Sequence, residues 1–278
     1  MSMCRSNVQV TGANKGIGFA IVRALCKQLD NGIVYLTARN EERGREAVAK
    51  LSQEGLQPKY HQLDVTDRAS VSKLRDFLKE THGGLDILVN NAAVAFKMEA
   101  TDPFGIQATV TLATNFTALL EVSRALLPLV RPHGRIVNVA SMSGPYAFKK
   151  MSQEVKGRFQ AVRTEQDVEQ LMKEFVDCAN AGDHMSKGWP NSAYGTSKMG
   201  VIALTRVQAA DIAKDKTKED VLITCCCPGY VDTDMTSHKG SLTIDEGAVT
   251  PVYLALLPTG SSDYNGKMFS EKAVTNFW

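Results

Sequence analysis

The chain has 278 residues, 44% of them hydrophobic and 22% charged, which is ordinary globular usage and excludes a disordered, collagenous or coiled-coil protein. With 32 Lys+Arg against 30 Asp+Glu the net charge is +2, too balanced for a nucleic-acid or membrane-surface binder working through a general basic field. A chain this long buries about three quarters of the surface its unfolded form exposes, so it needs neither disulfides nor a metal to stay folded.

The six cysteines, at 4, 26, 178, 225, 226 and 227, include three in a row and no C-x-x-C pair. That spacing predicts reduced thiols in a cytoplasmic protein, with no disulfide framework and no metal site. The opening MSMCRSNVQVTG has no apolar core of a secretory signal. No apolar run reaches the roughly 18 residues of a membrane span, so no membrane and no nucleic acid is expected among the partners.

In chain order, Asn7–Thr11, Ile33–Arg39, Lys59–Val65, Leu85–Asn90 and Gly134–Ala140 read as strands rich in Val, Ile and Leu. Such continuous apolar runs suit a sheet covered on both faces. Helical candidates lie between them at 17–29, 41–54, 68–81 and 102–130. Asp67 is placed to cap the third helix, and Asp102 the fourth, with Pro103 at its first position. This alternation implies parallel strands with right-handed crossovers. After Ser141 the rhythm breaks. Residues 147–189 are polar and carry one helical stretch, Glu165–Asn180. The pattern resumes with helix Ser192–Lys214, strand Val221–Cys226, helix Ile244–Leu257 and strand Gly266–Ser270. The expectation is one α/β domain over 1–278, a doubly wound sheet with an insertion at 147–189.

Thr11–Gly18 reads TGANKGIG, between the first strand and the first helix. Gly12, Gly16 and Gly18 allow a tight turn and close approach of a pyrophosphate to a helix N-terminus, with Asn14, Lys15 and Ile17 in the same loop. A three-glycine turn alone is weak; between strand and helix at this position it is far stronger. The second strand ends in Thr37-Ala38-Arg39-Asn40. A carboxylate there would accept from a ribose 2′-hydroxyl, whereas Arg39 attracts a 2′-phosphate, and Lys15 adds a second positive charge. The combination argues for NADPH/NADP+. At the next strand ends, Asp64 and Val65 are candidates for the adenine. In Asn90-Asn91-Ala92-Ala93, Asn91 and Ala92 are candidates for close approach of a ribose. Each of these pairs is also ordinary turn chemistry.

Tyr194 and Lys198, in YGTSK, share one face of a predicted helix. A nearby ammonium lowers a phenol's pKa and makes it a usable acid–base group. The spacing alone is close to noise, but other residues coincide with it. Ser141 ends the fifth strand and can hold a carbonyl oxygen beside Tyr194. Asn115 stands in the middle of a helix, where its propensity is poor, and calls for a link through water to Lys198. Pro228, Gly229 and Val231 form the turn after the sixth strand, beside the nicotinamide.

With these residues on view, the sequence resembles the short-chain dehydrogenase/reductase family over nearly its whole length. TGANKGIG, NNAA, Asn115, Ser141, Tyr194/Lys198 and CPGYVDTDM fall in that family's order. The resemblance implies a Rossmann-type sheet of seven parallel strands and an Asn115–Ser141–Tyr194–Lys198 tetrad. Within the family the chain looks most like the monomeric, cytosolic, NADPH-dependent carbonyl reductases, through GANKGIGFAIVRALC, LTARNEERG, LVNNAAVAFK, GWPNSAYGTSK, CCPGYVDTDM and EGAVTPVYLALLP. One departure is Ala93, where the family has Gly.

Ser141 and Tyr194 stand 53 positions apart. Most members of the family hold them far closer, and the monomeric carbonyl reductases carry a helical insert here. The stripe Val168, Leu171, Met172, Phe175 and Val176 follows i, i+3, i+4, i+7, i+8. It is expected to pack on helices 102–130 and 192–214, where relatives dimerise, and so to leave a monomer. Met142, Tyr146, Trp189, Cys227, Tyr230 and Met235 are candidate walls of a pocket for aryl ketones, aldehydes or quinones, although any one of them can equally be a core residue. The expected reaction is NADPH-dependent reduction of a small-molecule carbonyl substrate, with Tyr194 as proton donor. Two alternatives stand beside it: a dedicated steroid, prostaglandin or pteridine reductase, and a catalytically silent NADP(H)-binding regulatory protein.

Overall fold

The computed structural model describes residues 6–97 and 99–277; Cys4 and the first five residues of the opening segment read above as lacking a signal lie outside them. Seven parallel strands form one sheet: β1 (Ser6–Val10), β2 (Gly32–Ala38), β3 (Lys59–Gln62), β4 (Leu85–Asn90), β5 (Val130–Val139), β6 (Leu222–Cys227) and β7 (Met268–Ser270). The order across it is β3-β2-β1-β4-β5-β6-β7. The count of seven is corrected by one: Ala273–Val274 (β8) turns back antiparallel on β7. Its two residues are too few for a periodic pattern to reveal. Strand order reverses direction between β1, which pairs with β2 on one side, and β4 on the other (Val8 opposite Ile87). A crevice opens at such a switch point, outside the strands' carboxyl ends.

Helices α1 (Gly16–Gln28), α2 (Glu41–Gln53) and α3 (Arg68–His82) lie at the expected places. Asp67 caps α3, accepting from Ala69 N–H at 2.9 Å. Asp102 does not cap the next helix. Pro103 (φ −50°, ψ 139°) is itself the cap of α4 (Phe104–Leu112); its extended ψ leaves Asp102 outside, with only its carbonyl engaged, by Gln107 Nε2. The single helix expected over 102–130 is interrupted. A π turn at Ala113–Thr117 separates α4 from α5 (Ala118–Leu126). A 3₁₀ turn at Leu127–Leu129, holding Pro128, then runs straight into β5.

The insertion holds three helices, not one: α6 (Ser143–Lys150), α7 (Gln153–Ala161) and α8 (Glu165–Ala181). The first two are short and contain Gly144, Pro145 and Gly157, which masks a helical period. Local chemistry still starts them: Ser152 caps α7 by accepting from Val155 N–H. Thr164 and Asp167 form a reciprocal capping box on α8. The remaining helices are α9 (Ala193–Ile212) and α10 (Ile244–Ala255).

The apolar stripe of α8 is buried as expected, with Val168, Leu171, Met172 and Phe175 at most 3% exposed. It packs with Leu112, Phe116, Leu119 and Met199 in one cluster, against α4, α5 and α9. Two glycines set the close approach. A Cβ at Gly200 on α9 would come within 2.5 Å of Met172 Sδ, and one at Gly105 on α4 within 2.9 Å of the Asn180 backbone. Trp189 lies in the same cluster at 2% exposure, its ring 5.5 Å from Phe175 and 6.1 Å from Phe159.

Because Phe175 lies at the centre of this contact, Phe175→Ala is expected to lower unfolding free energy by about 3–5 kcal/mol. Urea denaturation measures it. A loss under about 1 kcal/mol would show that the insert frays without disturbing the core.

Candidate active site

The turn after β1 is built for backbone to come close. Gly12 (φ +61°) and Gly16 (φ +59°) occupy the left-handed region. A Cβ at Gly12 would come within 2.8 Å of Ala92 Cα, and one at Gly18 within 2.5 Å of Asn91 Nδ2. The N-terminus of α1 has no side-chain cap; the capping position is Lys15, and no acidic residue stands in the first turn. Its free N–H groups and Ile17, beside half-buried Asn14, therefore suit a phosphate. Asn91 differs from expectation. Its Nδ2 donates to the carbonyls of Thr11 (3.0 Å) and Gly12 (3.1 Å), so the side chain braces the glycine turn. Thr11 Oγ1 accepts from the N–H groups of both Asn91 and Ala92.

The end of β2 is tied to this turn, since Ala13 N–H donates to Thr37 O at 2.9 Å. Arg39 stands there, exposed and without a carboxylate partner among the described residues. Asp64 is half committed: its Oδ1 accepts from Thr66 N–H (2.9 Å) and Oγ1 (2.7 Å). Val65 and Ala92 line one small crevice with Thr11 and Thr114. Asn90 lines the buried floor of the same crevice, and its Nδ2 donates to Asn138 Oδ1 at 2.9 Å. Ala93 lies outside the left-handed region, so its methyl brings no backbone strain.

Across the crevice, Ser141 follows β5 and Tyr194 lies in the first turn of α9, capped by Ser192 accepting from Gly195 N–H. The Ser141 hydroxyl accepts from Ser143 N–H (3.1 Å), donates to Ser143 Oγ (3.2 Å), and bonds to the Tyr194 hydroxyl. Lys198 is buried; its Nζ donates to Val139 O at 2.7 Å and sits 5.6 Å from the centre of the Tyr194 ring. Burial dominates both titrations. It pushes the Tyr194 phenol up to about 12, with the Ser141 bond acting the other way, and brings the Lys198 ammonium down to about 8. Burial thus decides the phenol, in the direction opposite to the lowering by Lys198 expected from the sequence.

Asn115 occupies the π turn, a helix irregularity frequent at functional sites. Its side chain does not reach Lys198. Oδ1 accepts from Val94 N–H at 2.8 Å, while Nδ2 donates to Val94 O at 2.9 Å and to Ser197 Oγ at 3.1 Å. It locks the π turn to the segment after β4 and to α9, one residue before Lys198.

After β6 come Pro228 and Gly229 (φ +90°), whose N–H donates to Cys227 Sγ at 3.4 Å. Val231 is buried and bridges to Leu242. Among the pocket candidates, Tyr146, Tyr230 and Met235 are exposed, Met142 is half-buried and Cys227 is buried. Trp189 is a core residue of the insert, as described above, and does not line the cleft. The reason is its place in the sequence: it closes the insert's exit turn over α8 rather than entering α9. A groove of about 330 Å³ between α1 and α10, lined by Ala24, Val249, Tyr253 and Lys272 among others, shares no residue with this site.

Four residues absent from the candidate set join it. Asp234 carries Lys15 on its side chain and Lys97 on its carbonyl, while Ser237 and His238 hold the same loop. Lys97 and Asp234 stand inside the motifs LVNNAAVAFK and CPGYVDTDM, but nothing local in either motif pairs them.

Comparison with known proteins gives consistent results. Residues 6–153 and 178–242 match the family model for short chain dehydrogenase; the unmatched gap covers most of α7 and α8. Carbonyl reductase (NADPH) 3 of Rattus norvegicus is 49% identical over 275 residues, 99% of each chain. Carbonyl reductase (NADPH) 1 of Bos taurus is 48% identical over 278 residues, 100% of each. Among solved structures, salutaridine reductase from Papaver somniferum superimposes with a TM-score of 0.84 at 33% identity, over 95% of this chain and 99% of that one. The chain that carries this glycine turn and brings Ser141, Tyr194 and Lys198 together therefore belongs to the short-chain dehydrogenase family.

Proposed function

We propose that the protein reduces carbonyl compounds such as aryl ketones, aldehydes and quinones to alcohols with NADPH. The observation that carries this reading is the Tyr194 hydroxyl, bonded to Ser141 beside the crevice and held protonated by its surroundings. A reductase needs a proton donor at neutral pH, and a phenol titrating near 12 is fully loaded there. The relatives named above are carbonyl reductases of NADPH at nearly half identity over their whole length.

The residues present fit the cofactor. Gly12 and Gly18 leave no room for side chains, and Gly16 holds a left-handed turn, where a pyrophosphate would approach. The uncapped start of α1 offers N–H groups, and Arg39 offers a guanidinium with no internal partner to a 2′-phosphate. Asp64, Val65 and Ala92 would border the adenosine, and Pro228, Gly229 and Val231 the nicotinamide. When bound, NADPH supplies the hydride that converts the carbonyl carbon to a carbinol carbon.

The chain's own groups do the rest. Ser141 Oγ accepts from Ser143 N–H, and its proton would turn from Ser143 Oγ to the carbonyl oxygen. Tyr194 delivers its proton to that oxygen as negative charge develops there. Lys198, anchored on Val139 O, places its ammonium near the phenolate that remains, and so lowers the cost of forming it. Asn115 holds α9 in register with the segment after β4. Met142, Tyr146, Tyr230 and Met235 form an open, adaptable wall that suits several substrates better than one rigid ligand; Cys227 lies beneath it.

The same reading makes 1–278 one NADP-binding domain with 147–189 as its insert, in a cytoplasmic monomer. No helix among the described residues is long and apolar enough to cross a membrane. Five of the cysteines are free, and α8 covers the faces of α4 and α9.

Three outcomes are expected. Tyr194→Phe lowers turnover of an aryl ketone by roughly 10²–10⁴-fold while NADPH still binds; near-normal turnover would remove Tyr194 as the acid. Arg39→Asp weakens NADPH by roughly ten- to a hundredfold and NADH far less; equal losses in a fluorescence titration would show that Arg39 does not read the phosphate. Sedimentation at micromolar concentration gives a monomer; a stable dimer or tetramer would refute the shielding role of the insert without touching the chemistry.

A further inference from the structure

The segment Thr233–His238 forms a strap that rests on the glycine turn: a Cβ at Gly16 would lie 3.4 Å from Thr233 Cγ2. Asp234 is where its ties converge. Its Oδ2 accepts from Lys15 Nζ at 2.5 Å and its Oδ1 bonds to His238 Nε2 at 3.0 Å. Its backbone carbonyl accepts from Lys97 Nζ, which also donates to Ser237 Oγ at 2.8 Å. Asp232 takes the other ring nitrogen of His238 at 2.7 Å. Ser237 (φ +53°) and His238 (φ +57°) occupy the left-handed region, uncommon for residues other than glycine. Lys15 and Asp234 are both more than half exposed, so their pairing is weak and reversible.

Lys15 belongs to the turn tied to the end of β2, where Arg39 stands. It is therefore one of two cations available to a 2′-phosphate, and it is already engaged by a carboxylate. A phosphate and Asp234 cannot share that ammonium without mutual repulsion. We infer that Asp234 is a cofactor-selectivity residue that acts through Lys15: the closed strap withholds this cation, and only a ligand with a 2′-phosphate takes it. The inference rests on the NADPH reading proposed above. NADH has no phosphate to compete for Lys15, so it leaves the tie intact.

Direct fluorescence titration of NADPH and NADH tests it, using the full chain and variants at exposed positions. Asp234→Asn is expected to tighten NADPH by roughly two- to fivefold, the range of an exposed ion pair, and to leave NADH unchanged. Asp234→Glu is expected to restore the wild-type value. In a Lys15→Met background, Asp234→Asn should change neither cofactor. Weaker NADPH binding by Asp234→Asn would overturn the inference in favour of a strap that clasps bound cofactor. An equal gain for NADH, or a gain that persists without Lys15, would overturn it in favour of a general field effect. Amide exchange of the cofactor-free protein separates this from the proposed function. Faster exchange over 233–238 in both Lys15→Met and Asp234→Asn supports the tie, and unchanged exchange refutes it. A wild type that binds no NADPH would instead sink the functional reading.

Discussion

The site depends on the complete burial of one helix. From Ala193 to Ala209 nearly every residue of α9 is buried, including Thr196, Ser197, Lys198 and Thr205. A helix covered on all sides has no freedom to slide, but it must satisfy its polar side chains internally. Most of them bond to the sheet and its neighbours, while Thr196 Oγ1 and Gln208 Oε1 have no partner among the described residues. Asn90 donates to Asn138, Asn138 to Thr205, and Thr205 to Val201 O. Lys198 donates to Val139 O, and Ser197 accepts from Asn115. The bonds of Thr205, Lys198 and Ser197 fix α9 against β5 and the π turn, and together they set where the Tyr194 hydroxyl meets Ser141.

The insert completes that burial. Without α8, the outer face of α9 and the adjoining face of α4 would be apolar and open. Gly105 and Gly200 allow α8 to approach both so closely that Asn180 and Met172 fill the space of a side chain. The segment that the short chain dehydrogenase model leaves unmatched thus supplies part of the environment that keeps the catalytic helix dry. That same desolvation raises the phenol and lowers the ammonium. Packing remote from the cleft therefore sets the protonation states inside it.

On the other side of the crevice the principle is reversed. The glycine turn, Arg39 and the 233–238 strap are exposed, and their charges meet in water. Single contacts there are weak, and geometry is enforced by backbone instead. Thr11 and Asn91 gather the N–H and C=O groups of two loops, and left-handed glycines shape the turn. A dry, packed side around Tyr194 thus faces an exposed side where Lys15 and Arg39 stand.

Much of this was legible in the chain alone, because it rests on local periodicity and local chemistry. The alternating strands and helices, the cap at Asp67, the glycine turn, the apolar stripe of α8 and the common face of Tyr194 and Lys198 all involve residues within a few positions of each other. What the chain alone did not disclose depends on residues far apart in sequence. Asn115 bonds directly to Val94 and Ser197. Asn91 turns back on the glycine loop, Trp189 goes to the core, and Lys15 meets Asp234. The direction of the Tyr194 shift belongs to the same group, since it is decided by a burial that only packing creates. Sequence determined which groups were available and on which elements; the tertiary structure decided which of them are dry, and which partners they spend their hydrogen bonds on, because both are properties of the surfaces that meet when the elements pack.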